Sequence, residues 1–156
     1  MPDRIALLEA RLRLLEDRDS IRTTMARYAH TLDYGPAEDW VDCFTPDGVF
    51  DIRTTKGLPG FTERPVLTRG SAALLKFAKD HPCAPDEYRK HNVLVHDFLE
   101  IEGDHARVRS YFLIVHEMTG TGKIAYTGRY LDEMIKGEDG KWRIKERVAE
   151  ITGTKT

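Results

Sequence analysis

The chain has 156 residues, 40% of them apolar and 32% charged, with a formal net charge of −2. That length and composition suit one ordinary globular domain, able to bury roughly 70% of the surface its unfolded chain exposes. The small net charge supplies no basic field for nucleic acid or anionic lipid, and no apolar run approaches the ~20 residues needed to span a bilayer, so neither nucleic acid nor membrane is an expected partner.

The chain opens on Met1, Pro2, Asp3 and Arg4, without the apolar core of a signal peptide, and Cys43 and Cys83 fall in no metal or disulfide spacing. Both features predict a cytoplasmic protein with free thiols. Ile5, Leu8, Leu12 and Leu15 recur at helical spacing, and Ile21, Met25, Tyr28 and Leu32 continue the rhythm. Asp17, Asp19 and Ser20 interrupt it, which predicts a break or kink near 17–20. Residues 1–16 would then be an N-terminal helical arm, whose narrow stripe suits a contact with another subunit. Gly35-Pro36 ends the core helix and starts a short one carrying Trp40, Cys43 and Phe44, stopped by Pro46, with a strand after Gly48. Residues 54–69 read as a loop broken by a short strand at Val66-Leu67, and Ser71 as the N-cap of a helix holding Leu74, Leu75, Phe77 and Ala78.

Beyond Pro85 the pattern turns to strands, near 90–102, 105–119, 123–136 and 141–151. Turn signals at Gly103-Asp104, Gly120 to Gly122 and Glu138 to Gly140 separate them, as in a four-stranded antiparallel meander. Helices first and strands afterwards predict an α+β fold, with helices against one face of a curved sheet.

The segment Tyr28 to Trp40 carries the chemistry. A tyrosine and a carboxylate at the end of an apolar helix are costly unless they face a cavity or find partners. Alternation on 105–119 puts Val108, Ser110, Phe112, Ile114 and His116 on one, inner face. On 91–101 it groups His91 with Val93, Val95, Asp97, Leu99 and Ile101, while His96 shares a face with two glutamates; a single bulge would exchange these faces. A wall histidine can exchange protons near neutral pH, a carboxylate can orient it, and a phenol can donate to an oxyanion. Each residue also has a structural reading. Tyr28 fits the core stripe, Asp33 suits a turn, and core histidines satisfy hydrogen bonds. His30, His81 and His105 sit among polar or turn residues and read as solvated. His91 and His96 fall on opposite strand faces, so no shared metal is expected. Arg53, Lys123 and Arg129 could meet an anionic substrate or simply edge the sheet. No phosphate loop, dinucleotide fingerprint or nucleophile elbow is present.

With Leu15 to Ile21, Tyr28 to Trp40, Phe44 to Asp51, Glu102 to Phe112 and Gly140 to Glu146 in hand, the chain resembles the SnoaL-like and scytalone dehydratase-like branch of the nuclear transport factor 2-like superfamily. The resemblance spans nearly the whole chain, one domain over 1–156, and implies a cone-like α+β barrel with a deep pocket at its wide end. It further implies a homodimer or homotrimer, no cofactor, and catalytic roles for Tyr28, Asp33, His91 and His116. Counted back from Gly103-Asp104, the histidine and asparagine that many relatives carry four residues apart in this strand fall on Asn92 and His96 here, so His91 and His96 both stay open as the pocket residue. Trp40, Phe44, Phe50, Phe112 and Ile114 would form the apolar walls. The expected activity is a cofactor-independent, dehydratase-type lyase on a small aromatic, polyketide-like or steroid-like molecule. His91, oriented by Asp33, would remove a proton, His116 would protonate the departing hydroxyl, and Tyr28 would steady the enolate. A lyase that expels formaldehyde would use the same groups. The alternatives are an isomerase or aldol-type cyclase, a non-catalytic subunit like the small subunit of ring-hydroxylating dioxygenases, or a ligand-binding module.

Overall fold

The computed structural model describes residues 3–54, 66–118 and 121–154. Most of the loop expected over 54–69, and the turn residue Gly120, lie outside them. Helix α1 runs from Arg4 to Tyr34 without interruption. The break expected near 17–20 is absent because Asp17 turns its carboxylate outward to the sheet. It accepts from the indole Nε1 of Trp142 at 2.9 Å and from Lys136 Nζ at 2.8 Å instead of capping a new helix. Thr24 adds a second tie, its hydroxyl donating to the Trp142 carbonyl at 2.6 Å. Asp3 caps the start, and Gly35, at φ +64°, ends the helix with its N–H on the Thr31 carbonyl. The inner half buries Ile21, Met25, Tyr28, Leu32 and Asp33. The outer half leaves Ile5, Leu8, Leu12 and Leu15 exposed, Leu12 at 56%. Among the described residues, no helix is long and apolar enough to cross a membrane.

Helix α2 spans Ala37–Val41 and buries Trp40. It ends earlier than its sequence suggests, because Phe44 already pairs with Ile144 in strand β1, Phe44–Thr54. The ladder is interrupted between Phe44 and Val49, where a Cβ on Gly48 would lie 2.9 Å from both Phe44 Cβ and the Thr45 carbonyl. Strand β2, Val66–Arg69, pairs antiparallel with β1. Helix α3 covers Ser71–Asp80 with Gly70 at the N-cap position, so Ser71 is its first residue and its hydroxyl donates to the Pro46 carbonyl.

The meander follows as β3 (Tyr88–Glu102), β4 (His105–Met118), β5 (Thr121–Lys136) and β6 (Trp142–Thr154). The sheet order is β2-β1-β6-β5-β4-β3, with β1 parallel to β6 and every other pair antiparallel. The fold is therefore α+β, a six-stranded curved sheet that stays open between β2 and β3, with the helices packed on it. Gly128 permits its bend: a Cβ there would lie 2.0 Å from the Glu150 carbonyl and 2.7 Å from the Phe112 ring.

The core joins an aromatic cluster to a buried ion pair. Tyr28, Trp40, Phe44, Phe50 and Phe77 pack edge-on or tilted, apart from the stacked pair Trp40 and Phe77, with ring centroids as close as 4.8 Å for Trp40 and Phe44. Such pairs contribute about 0.5–1.5 kcal/mol each beyond area burial. Beneath them Arg147 reaches Asp132 through Nε at 2.6 Å and Nη2 at 2.9 Å, both side chains fully buried. Its guanidinium lies 4.0 Å from the Tyr28 ring centroid and 4.2 Å from that of Tyr130. Removing one member of such a pair strands the other charge in the core. Asp132→Asn is therefore expected to lower stability by about 3–5 kcal/mol in urea unfolding, and Asp132→Leu combined with Arg147→Met to recover most of that loss.

Candidate active site

Between the helices and the concave face lies a cavity of about 270 Å³. Leu32, Phe50, Ile52, Phe77, Phe112 and Ile114 give it apolar walls. Tyr28, His81, Arg89, His91, Tyr126 and Tyr130 bring polar atoms to it.

Asp33 and His91 meet in its wall. Asp33 occupies the last turn of α1, and β3 runs alongside that turn. One Asp33 oxygen accepts the His91 backbone N–H at 2.8 Å, and the other bonds the ring Nδ1. Both side chains are almost fully buried, His91 4% and Asp33 6% exposed. An ionised carboxylate can only accept, so the Nδ1 carries the proton and Nε2 is left to exchange one.

Strand β3 resolves the alternative between His91 and His96. Alternation holds from His91 to Val93 and then fails, because the register with β4 shifts between Leu94 and Asp97 and Val95 adopts φ +51°. Val95, Asp97 and Leu99 thus face outward, and His96 and Phe98 turn inward. His91 lines the cavity and also borders a second cleft of about 220 Å³ between α1 and β3, whereas His96 lines only that cleft, with Arg22 and His30. Burial lowers the His96 pKa, helped by the positive charges of Arg22 and Arg147.

The other expected site residues divide. Phe50, Phe112 and Ile114 line the cavity. Trp40 and Phe44 do not; they are core residues packed against Tyr28 and Phe50 behind the wall. His116 lies on the inner face of β4 but beyond Ile114, opposite Arg89 in the register. Its Nε2 is 3.4 Å from Glu87 Oε1, so it belongs to a group at the rim rather than to the described wall. Arg53 pairs with Asp51 at 2.7 Å and Arg129 with Glu150, while the cation reaching the cavity is Arg89, held by Glu87 at 2.8 Å. Among the described residues, no three His, Cys, Asp or Glu side chains converge as metal ligands.

Three groups went unrecognised in the sequence. Tyr130 stacks on Phe112 at 4.5 Å, and alternation along β5 from Tyr126 would have found it. Burial pushes the phenols of Tyr28 and Tyr130 up, opposed by the charge of Arg147, so both stay protonated donors at neutral pH. Arg147 was hidden because a register shift lies between β5 and β6 just before it, at Glu133/Met134. His81, read as solvated, follows the last turn of α3 and faces the cavity. Its ring stacks on Phe77 at 5.8 Å and lies 5.4 Å from the His91 ring.

Burial lowers the His81 pKa from 6.5 to about 4, with His91 and Arg89 adding to the shift and Asp33 and Glu87 opposing it. The unfolded chain therefore binds the proton more readily between those values, and stability falls as pH drops through that window. Over the whole window the loss is about 3 kcal/mol. His81→Phe should flatten the wild-type difference in thermal unfolding between pH 7 and pH 4.5.

Among solved structures, an NTF2-like protein with a cystatin-like fold from Novosphingobium aromaticivorans is similar at TM-score 0.81 and 26% identity, over 97% of this chain and 92% of that one. Rv3472 from Mycobacterium tuberculosis, a protein of unknown function, matches at TM-score 0.68 and 30% identity, over 85% and 74%. A protein provisionally named as the β subunit of an aromatic-ring-hydroxylating dioxygenase from N. aromaticivorans shares the fold at TM-score 0.75 and 16% identity, over 92% and 94%. Among curated protein sequences none matches. The profile of the SnoaL-like domain matches residues 13–148, a span that takes in α1 from its third turn onward, the Asp33–His91 pair, strands β1 to β5 and the first half of β6. By that match the chain belongs to the SnoaL-like domain family.

Proposed function

We propose that this protein is a cofactor-independent lyase that eliminates water from a small oxygenated aromatic or polyketide-like molecule by acid/base chemistry. The observation that carries the reading is the histidine in the cavity wall with its Nδ1 held by a buried carboxylate. A cavity of about 270 Å³ lies just below the ~300–1,000 Å³ typical of ligand pockets, which suits one or two fused rings better than a steroid.

In this scheme His91 Nε2 takes the proton from the carbon next to a carbonyl. Asp33 keeps the ring oriented and balances the charge of the imidazolium that forms. Tyr28, with Arg147 behind its ring, stabilises the enolate oxygen. The carbon–carbon double bond then closes as the neighbouring carbon–oxygen bond breaks. The imidazolium returns its proton to the departing hydroxyl, water leaves, and the histidine is neutral again. An isomerase or aldol-type cyclase would use the same base and differ only in losing no hydroxyl. A non-catalytic subunit would have no need of a carboxylate-bound histidine in a cavity wall.

The test uses a β-hydroxy ketone fused to an aromatic ring, such as 3-hydroxy-1-tetralone, whose dehydration gives the fluorescent 1-naphthol. His91→Gln and Asp33→Asn, each confirmed as folded by circular dichroism, should lower turnover by about 10²–10⁴-fold. Wild-type rates in both variants would defeat the proposal.

A further inference from the structure

We propose that His81 is a further catalytic residue, a neutral imidazole that holds the substrate's carbonyl oxygen beside His91. This rests on the reading of the cavity as a substrate site. His81 is the residue after α3, in extended conformation with its N–H on the Ala78 carbonyl. Leaving the helix there turns its ring toward the cavity, where stacking on Phe77 with an interplanar angle of 28° sets the ring plane. The His91 ring adjoins it at 5.4 Å. The two imidazoles thus share one stretch of wall and differ in their partners. His91 is held by Asp33, whereas His81 Nε2 is buried with no partner among the described residues.

A phenylalanine would stack on Phe77 as well as a histidine does. A polar ring in an apolar wall, with an unsatisfied nitrogen, is costly unless something in the cavity meets it. A carbonyl oxygen and the carbon that loses its proton are two bonds apart, so a molecule whose carbon meets His91 has its oxygen beside His81. The charge state suits this role. His91 and Arg89 face the ring, and together with burial they outweigh Asp33 and Glu87 in keeping it neutral at neutral pH. A neutral imidazole can polarise a carbonyl by donating one N–H, without adding a second positive charge beside the imidazolium forming on His91.

The experiment compares binding of 1-tetralone with that of tetralin, the same skeleton without the oxygen, by isothermal titration calorimetry at pH 7.5. The wild type should prefer 1-tetralone by about 3–10-fold, the worth of one hydrogen bond. His81→Phe should erase that preference and leave tetralin affinity within about 2-fold. A preference kept in His81→Phe, or absent from the wild type, overturns the assignment. Should His81→Phe fail to fold, the ring ¹⁵N resonances of His81 in the wild type give the answer. They should move with 1-tetralone and not with tetralin, and equal responses overturn the proposal. Wild-type turnover in His91→Gln alongside a lost preference in His81→Phe would remove the elimination and leave His81 as the oxygen ligand. Failure of the wild type to bind either probe would remove both.

Discussion

The buried carboxylate of Asp33 is the constraint on which the site depends. It sits in the last turn of α1, where the helix dipole disfavours an anion, and away from water, where an unpaired charge is costly. It persists because strand β3 supplies two donors, the backbone N–H and the ring Nδ1 of His91. The Asp33 backbone carbonyl meanwhile accepts the N–H of Ala84, in the segment that follows α3. One residue therefore joins the end of α1, the segment leaving α3 and an edge strand that otherwise pairs only with β4. His91 and His81 come from two of those three elements, so the groups that touch the cavity are positioned by the same knot that stabilises them.

Electrostatic arrangement around the cavity follows from burial. Arg147 is kept charged by Asp132 and lies behind the two tyrosine rings rather than among the wall residues. Its field acts on the phenols through their rings, while the wall itself offers neutral donors and one carboxylate-bound base. The only cation among the described wall residues, Arg89, is already engaged by Glu87. Under the proposed function, such a wall suits a neutral, flat, oxygenated molecule better than a phosphorylated or polyanionic one.

Much of this was legible in the sequence, for physical reasons that differ by element. The inner stripe of α1, the stop at Gly35-Pro36 and the meander rest on period and turn chemistry, which are local properties. The Asp33–His91 pairing, 58 residues apart, was only implied by the resemblance, with His96 left open beside His91. The kink that Asp17, Asp19 and Ser20 suggest is overridden by a partner 125 residues away, the Trp142 indole. Alternation works on β4, which carries Val108, Ser110 and Phe112 inward as expected. It fails on β3 after Val93, where a register shift turns His96 and Phe98 inward before a second shift at Phe98/Glu100 returns Ile101 to the core side, and β6 carries a shift just before Arg147 that hides that residue. His81 was beyond reach for another reason: its position after α3 looks polar in sequence, and only the packing of that helix on β1 turns the ring inward.

The state of the His91 ring is the measurement that bears most directly on this account. In protein labelled with ¹⁵N-histidine at pH 8, the account predicts that Nδ1 carries the proton, with a strongly downfield resonance that disappears in Asp33→Asn, and that Nε2 is bare. A proton on Nε2 with Nδ1 unprotonated, or a ring indifferent to Asp33→Asn, would contradict it.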